Sequence, residues 1–314
     1  ERDLLDKIKG VKAATLLAHG ENDWNVVPEH SIRIYEALKK QGTPAQLYLH
    51  QGGHGGPPPM EMRNRWFSHY LYGVDNGVEK DPRLMVVREG MPRGSAPTPY
   101  ADYPNPGAAG VTLHPSAGGN TIGVLSFDAV TQAVVETLVD NVAFSGATLA
   151  SADNSAHRLL YATPALKEPL QLSGTPVVTI RVASSKPAAN LSVWLVTLPF
   201  DSTAIGSQGA VGVLTRGWAD AQNYKSLKRG GNYDSKARGE PLVNGKFYDL
   251  TFDLQPGDRM VAPGKQLALM IMSSDRDFTL WPSAGTELMI DLGKTSIRLP
   301  VVGGAAALKK AVGK

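Results

Sequence analysis

Cysteine is absent from all 314 residues. That excludes disulfide staples, thiolate metal sites and a cysteine nucleophile, and it fits either redox compartment. No apolar run approaches the roughly 20 residues that a membrane-spanning helix needs. Charge of one sign is also scarce: 32 Lys and Arg against 29 Asp and Glu leave +3 at pH 7. Nucleic-acid phosphates require a concentrated basic face, which so small an excess does not supply. The N-terminus, Glu1-Arg2-Asp3-Leu4-Leu5-Asp6, has neither Met nor a signal-peptide pattern. It reads as the middle of a domain, and localisation stays open between cytoplasmic and secreted. The nucleophile elbow G-x-S-x-G is missing too, since Gly206-Ser207-Gln208-Gly209 and Gly94-Ser95-Ala96 lack its spacing.

What is present is an ordinary globular composition, 42% hydrophobic and 19% charged, long enough for two domains. Lys12 to Ala18 is a short, mostly apolar run of the kind found in a strand buried on both faces. Gly20 breaks it and places Asp23 in the loop beyond. Pro28 suits a helix start, Ile34, Ala37 and Leu38 form an i, i+3, i+4 stripe, and Gly42 stops the helix. Ala45 to Leu49 predicts a second strand, and Gln51 to Gly56 is too rich in glycine for regular structure. Met62, Trp66 and Tyr70 then mark an amphipathic helix over Met60 to Tyr72. Strand, helix, strand, helix implies right-handed crossovers and a parallel sheet, of which two strands are read here.

After Gly73 the pattern changes. Leu84 to Val87 reads as a strand, followed by a crossing rich in Pro, Gly and Ser from Pro92 to Pro106. Further strands are expected at Gly110 to Leu113, Leu159 to Ala162, Val177 to Ala183, Leu191 to Leu198, Phe247 to Leu254, Gln266 to Ser273, Glu287 to Leu292 and Ser296 to Val301. Successive strands without helices between them point to an antiparallel β-sandwich or jelly roll. The fold expected is therefore α/β plus all-β. Residues 1–80 form the C-terminal portion of an α/β-hydrolase sheet, and residues 81–314 a jelly-roll sandwich.

Chemistry concentrates on Asp23 and His54. One strand-helix-strand unit separates them, so both should emerge at the carboxyl edge of the sheet, where open α/β folds keep their sites. In a Ser-His-Asp hydrolase the carboxylate orients the imidazole, which takes the serine proton and returns it to the leaving group. The α/β-hydrolase order is Ser, Asp, His, and the last two members fit here. Trp24 and Asn25 adjoin the acid and are candidates for a pocket wall or for support of the loop.

Other residues point elsewhere only weakly. His50 and His54 are i, i+4, but a strand end followed by a glycine loop does not present them as a metal pair. His19 is expected to make a local hydrogen bond. Trp194, Trp218 and Trp281 suit a β-domain core better than a sugar platform. Lys225, Lys228 and Arg229 read as a solvated loop, and Asp275 with Asp277 offers too few oxygens for calcium. No cofactor and no metal are called for.

Asn22-Asp23-Trp24-Asn25-Val26 and Leu47-Tyr48-Leu49-His50-Gln51-Gly52-Gly53-His54 resemble the acid and base segments of the Xaa-Pro dipeptidyl-peptidases (peptidase family S15). Leu159-Leu160-Tyr161-Ala162-Thr163-Pro164-Ala165-Leu166, Leu172-Ser173-Gly174-Thr175-Pro176, Leu214-Thr215-Arg216-Gly217-Trp218, Pro256-Gly257-Asp258 and Pro263-Gly264 resemble the jelly-roll domain of that family. The resemblance implies a serine peptidase that removes an Xaa-Pro dipeptide from a peptide with a free N-terminus. Asp23 and His54 would be its triad members, and its Ser would lie on a preceding segment, so that this chain alone is expected to be inactive. Relatives of the same layout include cocaine esterase and α-amino-acid ester hydrolases, so an ester hydrolase is the alternative. A non-catalytic binding fragment is the third reading. A homo-oligomer is compatible with all three, and neither nucleic acid nor membrane is an expected partner.

Overall fold

The computed structural model describes residues 5–92, 94–205, 209–227 and 238–314. Strand β1 (Thr15–Gly20), helix α1 (Glu29–Lys40), β2 (Ala45–His50), α2 (Met60–Tyr72), β3 (Leu84–Val86) and β4 (Thr98–Tyr100) form the first unit. Its sheet runs β1-β2-β3-β4, with β1, β2 and β3 parallel and β4 antiparallel to β3. Four strands thus stand where two were expected. β3 and β4 follow residue 80 in sequence yet pair into the first sheet. The fourth is hard to read because Pro99 sits inside it. Proline lacks the N–H for a ladder bond and is tolerated on an edge strand, which β4 is.

The core of this unit gathers Leu17, Ile32, Tyr35, Leu38, Leu47, Leu49, Leu84, Val86 and Tyr103. On α1 the buried stripe is Ile32, Tyr35 and Leu38, one step out of phase with the expected Ile34, Ala37 and Leu38. Ile34 faces outward, and Tyr35 turns inward because its hydroxyl donates to Asp102 Oδ1 at 2.6 Å. Burying each aliphatic side chain of that stripe contributes about 2 kcal/mol. On α2 only Trp66 is fully buried, and the tilted ring of Tyr70 lies beside it with centroids 4.6 Å apart.

The remainder is mostly β: β5 (Ala108–Ser116), β6 (Ile122–Ser126), β7 (Val135–Val139), β8 (Leu159–Ala162), β9 (Leu170–Gly174), β10 (Val177–Ser184) and β11 (Asn190–Leu198). The short β12 (Ala204–Ile205) and β13 (Gly209–Ala210) pair with each other, and β14 (Val213–Asp220), β15 (Tyr248–Asp253), β16 (Gly257–Val261), β17 (Gln266–Met272) and β18 (Glu287–Val302) complete the set. Twelve strands join in the order β14-β11-β17-β8-β6-β5-β18-β10-β15, with β7, β9 and β16 attached beside them. The two ends of this path nearly meet, because Thr215 Oγ1 donates to Gln255 O at 2.7 Å and Gln255 N donates to Arg216 O at 2.9 Å.

The two strands expected at 287–292 and 296–301 are one. Gly293 and its neighbours form a bulge in β18, where the pairing with β10 jumps from Thr179↔Ser296 to Arg181↔Asp291. The extra residues are held locally by Gly293 N and Thr295 Oγ1, which donate to Asp291 Oδ1 and Asp291 O. Among the described residues of this half stand two α-helices, α3 (Gly146–Ser151) and α4 (Gly304–Ala311). The latter packs Leu308 and Ala311 into the main core.

Candidate active site

Parallel pairing sets Gly20 of β1 opposite His50 of β2, so the chain leaves both strands at the same edge. The two loops then bind each other. Glu21 N donates to His50 O at 2.8 Å, Asn22 N to Gly52 O at 3.1 Å, and Asn22 Nδ2 to Gln51 O at 2.9 Å. A Cβ on Gly20 would fall on the carbonyl oxygens of Gly52 and Gly53, so this close approach requires glycine.

That juxtaposition brings Asp23 and His54 together. His54 Nδ1 lies 2.8 Å from Asp23 Oδ2, while Asp23 Oδ1 accepts from Asn25 N at 3.0 Å and Val26 N at 2.9 Å. Burial pushes the Asp23 carboxyl up, but the bonds from Val26, His54 and Asn25 outweigh it and hold the group below its usual range. An ionised Asp23 that accepts from Nδ1–H leaves Nε2 of His54 as the basic nitrogen. The His54 side chain is 65% exposed, whereas Asp23 is buried.

His54 lines an open cleft of about 680 Å³, together with Tyr48, His50, Val87, Met91 and Ser95. Burial pushes the His50 imidazole down, and its Nδ1 accepts from Gly52 N at 3.0 Å, so it shapes the loop as a neutral ring. His19 is lowered by burial as well, and its nitrogens meet Val26 O and Ser31 Oγ, each at 2.7 Å. The expected local bond is therefore present, and it braces the turn that carries Asp23.

Trp24 and Asn25 do not line this cleft. Trp24 is buried among residues of the second unit, with the Arg216 guanidinium 3.8 Å from its ring centre, and Asn25 is exposed. Trp194 and Trp218 both donate to Asp275 Oδ2, at 2.8 and 3.0 Å, and Trp281 is exposed. Lys225 pairs with Glu240, while Lys228 and Arg229 lie outside the described residues. Among the described residues no group of three or more His, Asp or Glu is arranged to hold a metal ion.

Sequence reasoning missed the network that ties the two loops to the second unit. Glu21, Asn22 and Gln51 join a network with Arg88, Glu89, Asp258 and Arg259. Glu21 Oε1 accepts from Asp258 N at 2.6 Å, Arg88 Nη2 meets Asp258 Oδ1 at 2.7 Å, and Glu89 Oε1 accepts from Met260 N at 3.0 Å. The one available signal was Pro256-Gly257-Asp258, whose acidic residue, at the start of β16, is followed by a cation.

A carboxylate and an imidazole are thus held on adjacent sheet-end loops, beside a β-rich unit. A family model described as X-Pro dipeptidyl-peptidase C-terminal non-catalytic domain matches residues 76–310, and one described as X-Pro dipeptidyl-peptidase (S15 family) matches residues 1–56. The chain belongs to the Xaa-Pro dipeptidyl-peptidase family. A putative Xaa-Pro dipeptidyl-peptidase of Rhodopirellula baltica is 54% identical over 98% of this chain and 47% of its own length. Another, of Bacillus anthracis, is 31% identical over 96% of the chain and 47% of its own length. The chain thus spans about half the length of the curated relatives it matches. Among solved structures, an α-amino-acid ester hydrolase superposes with a TM-score of 0.68 at 18% identity, over 95% of this chain and 57% of that one. That likeness concerns the fold alone.

Proposed function

We propose that the chain supplies the acid and base of a serine peptidase that releases Xaa-Pro dipeptides from peptides with a free N-terminus. The first sheet is on this reading the C-terminal end of an α/β-hydrolase sheet, and the β-rich remainder a jelly roll. On the same reading the two domains divide near residue 80, with β3 and β4 lent back to the first sheet. The nucleophilic Ser comes from a segment outside these 314 residues, and the isolated chain is inactive.

The observation that carries this reading is the 2.8 Å contact between His54 Nδ1 and Asp23 Oδ2, with the second carboxylate oxygen tied to two backbone N–H groups. Asp23 holds His54 in the tautomer whose Nε2 is free of a proton. Nε2 then takes the proton of the attacking Ser hydroxyl, and Asp23 stabilises the imidazolium that results. Collapse of the tetrahedral intermediate moves that proton to the departing amine. A water attacking the acyl-enzyme repeats the cycle, again through His54.

The experiment is turnover of a Gly-Pro anilide by the full-length protein. His54→Ala is expected to lower kcat by ~10⁴-fold or more, and activity within tenfold of wild type would overturn the assignment. The pair serves an ester as well as an amide, which keeps the ester-hydrolase reading alive. Relative turnover of the anilide and an aryl ester decides between them.

A further inference from the structure

The base loop contains Gly52, Gly53, Gly55 and Gly56, and glycine gives a backbone more freedom than any other residue. Such a loop does not by itself hold an imidazole at 2.8 Å from a carboxylate. Besides the His54–Asp23 contact, a side-chain tie from this loop to the rest of the molecule runs through Gln51, three residues before His54. Gln51 Nε2 donates to Glu21 Oε2 at 2.7 Å, and Gln51 Oε1 accepts from Arg259 Nη1 at 2.6 Å. The same guanidinium reaches the acid loop. Its Nη2 donates to Glu21 O at 2.8 Å and to Asn22 Oδ1 at 3.1 Å, and its Nε lies 3.8 Å from Glu21 Oε1.

Arg259, Glu21 and Gln51 therefore close a ring that joins the residues just before Asp23 to the residue just before the His54 loop. Arg259 is 7% exposed and Glu21 2% exposed, so water screens that pair little, while Gln51 is half-buried. Arg259 stands on β16, in the segment matched as non-catalytic, and its neighbours on that strand hold the third loop of the edge. Asp258 pairs with Arg88 and Met260 N donates to Glu89.

We propose that Arg259 is a positioning residue for the Asp23–His54 pair, cross-linking the acid and base loops from the second unit. Its catalytic meaning rests on the functional reading above, but its structural claim does not. The planar fork is what the task requires, because a guanidinium presents donors toward both loops at once and an ammonium is a single point.

The test reads His54 directly. In the 314-residue chain with labelled histidine, the Nδ1–H resonance of His54 is compared by NMR in wild type, Asp23→Asn, Arg259→Lys and Arg259→Gln. Loss of the carboxylate in Asp23→Asn sets the chemical shift of the uncoupled ring. Both Arg259 variants are expected to move the resonance at least halfway toward that position and to weaken it. A wild-type resonance in a folded Arg259 variant would overturn the proposal, whatever its melting temperature. Should Arg259→Gln fail to fold, Gln51→Leu breaks the same tie and leaves the cation in place, and the same two outcomes decide.

In the full-length protein Arg259→Lys is expected to lower kcat by about 10- to 100-fold with KM within about twofold. An unchanged kcat per folded molecule would reduce Arg259 to interface glue. Full activity in His54→Ala would remove the functional reading while leaving the NMR coupling to stand or fall separately.

Discussion

In the loop after β1, Glu21, Asn22, Asp23 and Trp24 are all buried, whereas in the loop after β2, His54, Gly55 and Gly56 are exposed. The acid sits in a cage of backbone donors with Trp24 under it as an anchor. The base hangs in solvent and is held by its contact with Asp23. A carboxylate that must stay ionised needs fixed donors, and an imidazole that must pass a proton in and out needs access. The same sheet edge supplies both by burying one loop and loosening the other.

The sharpest break of this comparison separates activity from stability. In the full-length protein, Asp23→Asn and His54→Ala are each expected to lower kcat by ~10⁴-fold. Their stabilities should part. Asp23→Asn loses charge-assisted bonds in a buried site and should cost about 2 kcal/mol. His54→Ala removes an exposed side chain and should cost about 0.5 kcal/mol or less. Urea unfolding of both variants checks this, and equal losses would mean that the loops are not built differently.

Glycine gives the next largest contrast. Gly20→Ala would drive a methyl into the backbone carbonyls of Gly52 and Gly53, which cannot rotate away as a flexible side chain could. The two loops must separate, at a cost of about 3 kcal/mol or more. The melting temperature reads the loss, and a shift of a degree or two would show that the edge yields more easily than its geometry implies.

These contrasts also explain what was legible in the sequence. Asp23 and His54 were readable because each follows an apolar run broken by glycine, a local pattern that fixes where a strand ends and its loop begins. Arg259 was not, because its partners are a carbonyl, an Asn, a Gln and a Glu more than two hundred residues away. No period or spacing encodes that meeting. The phase of α1 was misread for a related reason. Tyr35 turns inward toward Asp102, a partner in a later loop, and hydropathy alone favoured Ile34. The bulge in β18 looked like a turn because glycine serves both.

Titration separates the two carboxylates of the acid loop by sign. Burial pushes Glu21 up to about 7, with Arg259 pulling it down and Glu89 adding to the rise. Unfolded, the same group titrates near 4.5. Between those values the folded chain keeps a proton that the unfolded chain has released, so this contribution to stability falls as pH rises and levels off above about 7. Asp23 is depressed instead, so its contribution is full above its unfolded value near 3.8 and is lost as pH falls through the lower folded value. From about pH 5 to about pH 8, wild type should therefore lose stability relative to Glu21→Gln by on the order of 1 to 3 kcal/mol. Parallel pH profiles for the two proteins would mean that Glu21 ionises as freely as a surface carboxylate.

The mildest test stays within the base loop. Gly55 has φ +88°, a left-handed conformation that a side chain disfavours, yet a Cβ there would meet nothing within 4 Å. Gly55→Ala should thus cost only the conformational penalty, about 1 kcal/mol, against the larger loss at Gly20, where the obstacle is steric. Because residue 55 follows His54 directly, the strained backbone should also tilt the imidazole slightly, lowering kcat of the full-length protein by about two- to tenfold with the melting temperature down by a few degrees. A loss at Gly55 as large as that at Gly20 would show that the base loop is packed as tightly as the acid loop, and the exposed imidazole would then owe its freedom to something other than a loose backbone.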